Sequence, residues 1–436
     1  MTVQNAGLES SVSTLIAPVP KSRRAIAAAT IGNLLETYDF AVYGFFAIII
    51  SRLFFPSGDE TVSLLLTVAT FGVGFFMRPI GALVLGTLAD RRGRKFALSI
   101  TILMMAAGTA MIGLAPTYAE IGAWAPFIIV LARLIQGFSA GGEIGTATAF
   151  LVEHAPADRR GFFGSWQQAS QASALLLGSM IGAAMTGLLP PSDLENWGWR
   201  VPFLLGLLIG PVGFYIRKHT QEAEEFQRAI RGTTNSPLGT VFRLHSRSIL
   251  AGFGITITWT VVTYFFLLYM PTYAVRQFHV PQASALLANG IGLLVLLVLA
   301  PAFGALSDRV GRRPLLLGSA VAIIVLTYPS LAMLASSPTL LSLTLFQVVF
   351  AILIAAFTGT APAAMSEIYP AEVRSTGVSI AYNLAVTIFG GFAPFIATWL
   401  IAETGYSLAP AFYVTAAMAL SVVMIFVLFR PSKGNA

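Results

Sequence analysis

Five ionisable residues stand inside long apolar runs of the 436-residue chain: Glu36, Asp39, Arg78, Arg133 and Glu143. A charge at the centre of a bilayer costs from about 3 to more than 10 kcal/mol, so ionisable residues retained there read as functional. Three carboxylates face two guanidiniums, so with every group charged one acid lacks a partner. Taking up a proton removes that surplus charge, which is what a proton carrier requires. The four histidines, His154, His219, His245 and His279, fall in or near loops, so the role falls to the carboxylates. Arg78 carries a planar donor fork that stays charged, the group best suited to gripping a substrate carboxylate. It could equally neutralise Glu36 or Glu143. Counting 1.5 Å of rise per residue puts Glu36, Arg78 and Glu143 roughly 15–18 Å deep, with Asp39 and Arg133 higher. All five lie in the amino-terminal half.

Neutral polar residues form a second set. In Ser165-Trp166-Gln167-Gln168-Ala169-Ser170-Gln171, the residues Gln167, Ser170 and Gln171 share one helical face by three- and four-residue spacing. Amides facing lipid would be costly, so that face looks inward, either lining a cavity or bonding a neighbouring helix. The carboxyl-terminal half has no mid-span charge but carries Trp259, Thr260, Thr263, Tyr264, Asn289, Gln347, Tyr382 and Asn383. Of these, Tyr264, Tyr382 and Asn383 are candidates to close over a substrate held by the first half; plain packing is the alternative for each. There is no cysteine, no phosphate-binding glycine loop after a strand, no nucleophile motif and no metal-ligand cluster. An enzyme, ATP-driven transport, a bound metal and any cofactor other than a coupling proton are therefore not expected.

The elements that must position these residues follow from composition. With 56% hydrophobic and 10% charged residues and mean hydropathy +0.78, the chain is too apolar for a water-soluble fold, where about a quarter of residues are charged. Crossing about 30 Å of hydrocarbon takes roughly 20 helical residues. Twelve such spans are expected, near 25–50, 62–89, 96–115, 124–152, 161–189, 199–216, 248–275, 283–307, 314–334, 338–366, 375–402 and 408–429. Of the 26 Lys and Arg, 21 fall in the amino tail, the even-to-odd connections and the carboxyl tail, against three (Arg52, Arg200, Arg276) on the other side. Both termini are therefore expected in the cytoplasm. The net charge of +7 reflects these short clusters, and nucleic-acid binding is not expected. Residues before Lys21 lack the features of a secretory leader, so the first apolar run reads as a retained span.

Internal repetition organises the whole. Gly86, Asp90, Arg91, Gly93, Arg94 and Lys95 recur 218 positions later as Gly304, Asp308, Arg309, Gly311, Arg312 and Arg313. Glu153, Pro156 and Arg160 recur 214 positions later as Glu367, Pro370 and Arg374. Two matched motifs in the same order imply a duplicated six-helix unit, giving an all-α membrane fold of two pseudo-symmetric bundles with a site between them. The expected division is 1–216, a cytoplasmic linker 217–247, and 248–436. Asp90, Arg91 and Arg94 with Glu153 and Arg160 read as a cytoplasmic latch, and Asp308, Arg312, Glu367 and Arg374 as its counterpart in the second half. Charge anchoring and turn formation are the alternative.

The repeated Asp-Arg-x-Gly-Arg loop resembles the signature of the major facilitator superfamily over nearly the whole chain. More narrowly, Gly32-Asn33-Leu34-Leu35-Glu36-Thr37-Tyr38-Asp39-Phe40, Phe76-Met77-Arg78-Pro79-Ile80-Gly81, Arg133-Leu134-Ile135-Gln136-Gly137 through Glu143, and Trp197-Gly198-Trp199-Arg200-Val201-Pro202-Phe203 resemble the metabolite:proton symporter subfamily. Thr37 departs from the pattern, since many members carry an aromatic residue there. The resemblance implies alternating access and a proton as coupling ion. Asp39 and Arg133 occupy positions similar to the aspartate and arginine pair of the more distant sugar:proton symporters, which implies Asp39 as proton acceptor and Arg133 as the partner released on protonation. Glu36 and Glu143 are further proton-coupling candidates; Arg78 and Arg133 are candidates for the substrate anion. The Ser-Trp-Gln face, Ser379 through Ala385 and Phe389-Gly390-Gly391-Phe392-Ala393-Pro394 are similar to citrate and tricarballylate members, implying a tricarboxylate or related organic acid. Dicarboxylates, shikimate-like or aromatic acids, a betaine or proline osmolyte, and a non-transporting receptor are the rival expectations. The expected partners are a small organic anion, protons and the lipid of an inner membrane, with the chain a monomer.

Overall fold

The computed structural model describes residues 33–429 except 35, 93, 142, 154, 208–244 and 371–372, and the backbone alone at 86–87, 89–92, 94–98, 143 and 146. The expected linker thus lies outside the described residues, apart from 245–247. Lipid offers backbone groups no hydrogen bonds, so a chain this apolar must satisfy them within helices. The described residues do so in twelve segments. Helix α1 comprises Glu36–Phe45 and Ala47–Phe54, bent by 69°. It is followed by α2 (Glu60–Arg92), α3 (Arg94–Leu114), α4 (Trp124–Ala140 continued by Glu143–Glu153), α5 (Arg160–Gly164 continued by Trp166–Leu188) and α6, described over 200–207. The second set is α7 (Ser246–Val261, Val262–Tyr269, Met270–Phe278), α8 (Gln282–Val310), α9 (Arg312–Ser336), α10 (Leu340–Thr358 and Ala361–Glu367), α11 (Arg374–Ala385, Val386–Gly390, Ala393–Thr404) and α12 (Ala409–Leu428). Among the described residues, eight spans are individually long and apolar enough to cross a membrane, and the bent α1 pair makes a ninth. Large apolar side chains remain exposed around the outside, among them Phe76, Val298, Val325, Met333 and Phe426, a surface that suits lipid.

Packing follows the duplication. Helix α2 lies along α4 in the first half, and α8 lies along α10 in the second. Among the described residues the halves meet most extensively along α5 against α8 and α2 against α11, which the repeat relates to each other, and the end of α4 also packs on α10 and α11. Wide π turns interrupt α7 at Val262–Tyr269 and α11 at Val386–Gly390, and both face the centre: a Cβ at Gly390 would collide with Thr260 and Tyr264. Such insertions bend a span and commonly mark functional positions. Gly311, at φ +89°, turns the chain from α8 into α9, a conformation that only glycine takes without strain. This is how Asp308 and Arg312 come to flank one tight turn.

Candidate functional site

Close approach of α2 and α4 builds the first-half charge cluster. Gly74 and Gly137 touch backbone to backbone, and Gly81 and Gly141 lie against the carbonyls of Phe138 and Arg78. Side chains at those positions would force the helices apart and separate the two arginines. Arg78 sits 3.3 Å from the Glu36 carboxylate, both side chains buried. Its guanidinium is 4.4 Å from the Phe75 ring and 4.8 Å from Phe40. Arg133, fully buried, lies 4.3 Å from the same Phe40 ring, 4.6 Å from Tyr43 and 5.0 Å from Phe71. Ring faces carry negative potential and hold a desolvated cation by about 0.5–2 kcal/mol each. Phe40 therefore lies between two guanidiniums and shares in holding both.

Asp39 and Arg133 are near each other but are not within ion-pair distance; a chain of side chains joins them. The Thr109 hydroxyl donates to Asp39 Oδ2 at 2.6 Å, Gln136 Nε2 donates to Thr109 Oγ1 at 3.1 Å, and Arg133 donates to Gln136 Oε1 at 2.9 Å. Two neutral groups, Thr109 and Gln136, thus stand between acid and base. The physical reason is that α3 presents Thr109 to both α1 and α4. Gln136 follows Arg133 by three residues on one helix face and was within reach of sequence reasoning; Thr109 carried no signal. The side chain of Glu143 lies outside the described residues.

Part of the neutral set lies beside this cluster. Gln167, Ser170 and Gln171 are all buried, and Asn33 donates to Ser170 Oγ at 2.6 Å and to the Gln167 carbonyl at 3.2 Å. Tyr264 packs edge-on against Phe75 at 5.2 Å and has Arg78, Glu36 and Arg133 as its charged neighbours. Tyr382 stands edge-on to Trp259 at 5.6 Å, near Tyr264, Arg78, Glu36 and Gln171. Asn383 does something else: its amide donates to the Gly141 carbonyl at 2.8 Å, tying α11 to α4. Many buried polar atoms have no hydrogen-bond partner among the described residues: both amide ends of Gln167 and Gln168, Gln171 Oε1, Trp259 Nε1, Thr260 Oγ1, and two nitrogens each of Arg78 and Arg133. An unsatisfied buried group costs about 1–3 kcal/mol, so a convergent set of donors and acceptors is suited to a polar guest. Gln168, the residue after Gln167 on α5, is likewise buried with both amide ends unpartnered among the described residues.

Both membrane faces are bridged between the halves. On the face of the repeated loops, Asp308 of α8 accepts the Gly161 and Phe162 amides at the start of α5, at 2.7 and 3.0 Å. Arg312 pairs with Asp308 at 2.8 Å and with Glu367 at 2.9 Å. Arg374 pairs with Glu153 at 2.9 Å, so it crosses to the other half rather than closing a cluster with Glu367, because the end of α4 packs on the start of α11. The side chains of Asp90, Arg91 and Arg94 lie outside the described residues, and Arg160 Nε has no hydrogen-bond partner among those described. On the opposite face Arg276 of α7 pairs with Glu60 of α2, and Arg52 reaches Glu60 at 3.9 Å and Glu195 at 3.4 Å. A cavity of about 170 Å³ lies under that clasp, lined by Arg52, Glu60, Arg276, Ser51, Ser57 and Ser63 among others. Contacts between the halves thus bridge both faces of the protein.

Comparison with known proteins gives three results. The family model described as "Sugar (and other) transporter" matches residues 25–219 and again 215–433. The chain is 38% identical over 408 residues to the citrate-proton symporter of Klebsiella pneumoniae, covering 94% of this chain and 92% of that one. It is 34% identical over 416 residues to the proline/betaine transporter of Salmonella typhimurium, covering 92% and 82%. Among solved structures, a D-xylose-proton symporter superposes with TM-score 0.73 at 20% identity over 95% of this chain and 99% of that one, a likeness of fold.

Proposed function

This chain belongs to the sugar (and other) transporter family of the major facilitator superfamily, and from that premise we propose that it is a proton-coupled symporter of an organic acid, a citrate-like tricarboxylate foremost. The observation that carries the reading is the end-to-end likeness to citrate-proton symporters. The buried cluster of acids, arginines and unpartnered amides supports it from the side of chemistry.

In this reading Asp39 takes the coupling proton, with Glu36 and Glu143 as further acid sites, and Arg133 answers the change in charge. Arg78 and Arg133 offer the substrate carboxylates fixed positive charge. Two cations do not neutralise three carboxylates, so protons must enter with the substrate, and a chamber holding several acids can take more than one. Gln167, Ser170 and Gln171, joined by Gln168, supply neutral hydrogen bonds; Tyr264 and Tyr382 close the chamber from the second half. Asn383 ties the bundles together through Gly141. The units are 1–216 and 248–436, joined by the linker 217–247. Both termini face the cytoplasm of a cell whose inner membrane holds the protein as a monomer. The bridges of Asp308, Arg312, Glu367, Arg374 and Glu153, with Asp90, Arg91, Arg94 and Arg160, form the cytoplasmic latch, and the Arg276–Glu60 clasp guards the outside.

A second reading, symport of betaine or proline, is favoured by one observation: the Arg78 guanidinium already has a carboxylate, Glu36, beside it. A zwitterion would need less free positive charge. Purified protein screened for thermal stabilisation by citrate, other tri- and dicarboxylates, shikimate, betaine and proline, then tested for uptake into proteoliposomes with an imposed pH gradient, separates the two. Stabilisation by a tricarboxylate with uptake driven by an acidic exterior is the expected result. Stabilisation by betaine or proline and by no carboxylic acid would overturn the substrate class.

A further inference from the structure

The chain Asp39–Thr109–Gln136–Arg133 contains one group that cannot serve two acceptors at once. The Thr109 hydroxyl has a single hydrogen and two lone pairs. Its oxygen lies 2.6 Å from Asp39 Oδ2 and 3.0 Å from the Met105 carbonyl one turn back on α3, and it accepts from Gln136 Nε2 at 3.1 Å. With Asp39 ionised, the hydrogen belongs on the carboxylate, the stronger acceptor. With a proton on Oδ2, that oxygen becomes a donor, and the Thr109 hydrogen has to turn to Met105. Threonine in a helix readily bonds the carbonyl four residues back, so both settings leave the hydroxyl fully satisfied.

We propose that Thr109 is a positioning residue whose hydroxyl reverses its hydrogen-bond direction when Asp39 gains its proton, and that Gln136 passes this reversal to Arg133. The inference rests on the proton-symport reading and deepens it. No proton passes through Thr109: it arrives from the aqueous phase on Asp39 Oδ2 and leaves from there. What changes along the chain is polarisation. A hydroxyl that donates to an anion is a stronger acceptor for Gln136 Nε2, and a polarised Gln136 amide is a stronger acceptor for Arg133. Neutralising Asp39 relaxes each bond in turn and loosens the one side-chain hydrogen bond that Arg133 makes among the described residues. Arg133 stays held by the Phe40, Tyr43 and Phe71 rings, free to turn its fork toward an incoming anion.

The surroundings of Asp39 leave the role to this chain. Arg133 of α4 and Tyr38 of α1 are the charged and titratable groups facing it among the described residues. Tyr38 is engaged elsewhere, its hydroxyl donating to the Pro202 carbonyl at 2.9 Å. Helix α3 presents Thr109, and α6 presents Gly206, where a Cβ would stand 2.8 Å from Asp39 Oδ1.

The test is the pH profile of uptake and of counterflow in proteoliposomes for the wild type, Thr109→Val, Thr109→Ser and Gln136→Met. Losing a hydrogen bond to a charged group moves a protonation equilibrium by about tenfold or more, so Thr109→Val should shift the uptake midpoint toward alkaline pH by about one unit. Thr109→Ser should restore the wild-type midpoint, and Gln136→Met should keep the midpoint while raising KM for the anion. A wild-type midpoint in Thr109→Val with counterflow retained would overturn the proposal. So would loss of counterflow in every variant including Thr109→Ser, because a reporting hydroxyl is dispensable for exchange. Should Thr109→Val not fold by its melting curve, Thr109→Ala is read by the same criteria. Uptake by the wild type that ignores an imposed pH gradient would instead sink the symport reading itself.

Discussion

Asp308→Asn should open the face that carries the repeated loops. Asp308 is 7% exposed at its side chain, accepts two backbone amides of α5 in the other half and pairs with Arg312. Asparagine keeps the shape but can accept only on one oxygen, and its amide then meets the second backbone donor head-on. One hydrogen bond to a charged group is lost, about 1.5–3 kcal/mol, and part of an ion pair, about 0.5–1 kcal/mol more. Arg312 retains Glu367, so no orphan cation adds to the cost. A total of about 2–4 kcal/mol shifts the balance between closed and open forms by roughly 30- to 1,000-fold. Because the chain has no cysteine, a single Ser170→Cys reports on the chamber without a background. The rate at which a membrane-impermeant maleimide labels it from the loop face should rise at least 30-fold in Asp308→Asn, up to the limit set by the open form. A change under threefold in a protein with an unaltered melting temperature would refute the reasoning that this carboxylate holds the halves together.

Two further outcomes test the interior. Asp39→Asn should abolish accumulation against a gradient while leaving counterflow exchange, measured in the same vesicles; undiminished accumulation would remove Asp39 from the coupling role. Gly137→Ala drives a Cβ into the Gly74 carbonyl, a backbone atom that cannot step aside, and should cost about 1–3 kcal/mol or more, read as a lower melting temperature and weaker anion binding as the two arginines part.

Much of this molecule was legible in the residues alone. Lipid leaves the backbone one local solution, so where both ends are described hydropathy located spans that agree with the helices to within a few residues, as at 283–307 against Gln282–Val310. The repeats at Asp90 and Asp308 and at Glu153 and Glu367 announced the duplication, because a copied unit keeps its spacing. The price of burying charge singled out Glu36, Asp39, Arg78 and Arg133 before any coordinates. Partner choice was another matter, since it depends on which helices touch. Arg374 lies seven residues from Glu367 in the chain, yet meets Glu153, 221 residues away, because α4 and α11 share a seam. Asn383, polar and deep, proved to be a tie to Gly141. Thr109 looks like any threonine of an apolar helix. Only the crossing of α1, α3 and α4 puts its hydroxyl between an acid and the amide that holds Arg133, since hydrogen bonds are decided within about 3 Å and sequence spacing reaches that far only along a single helix.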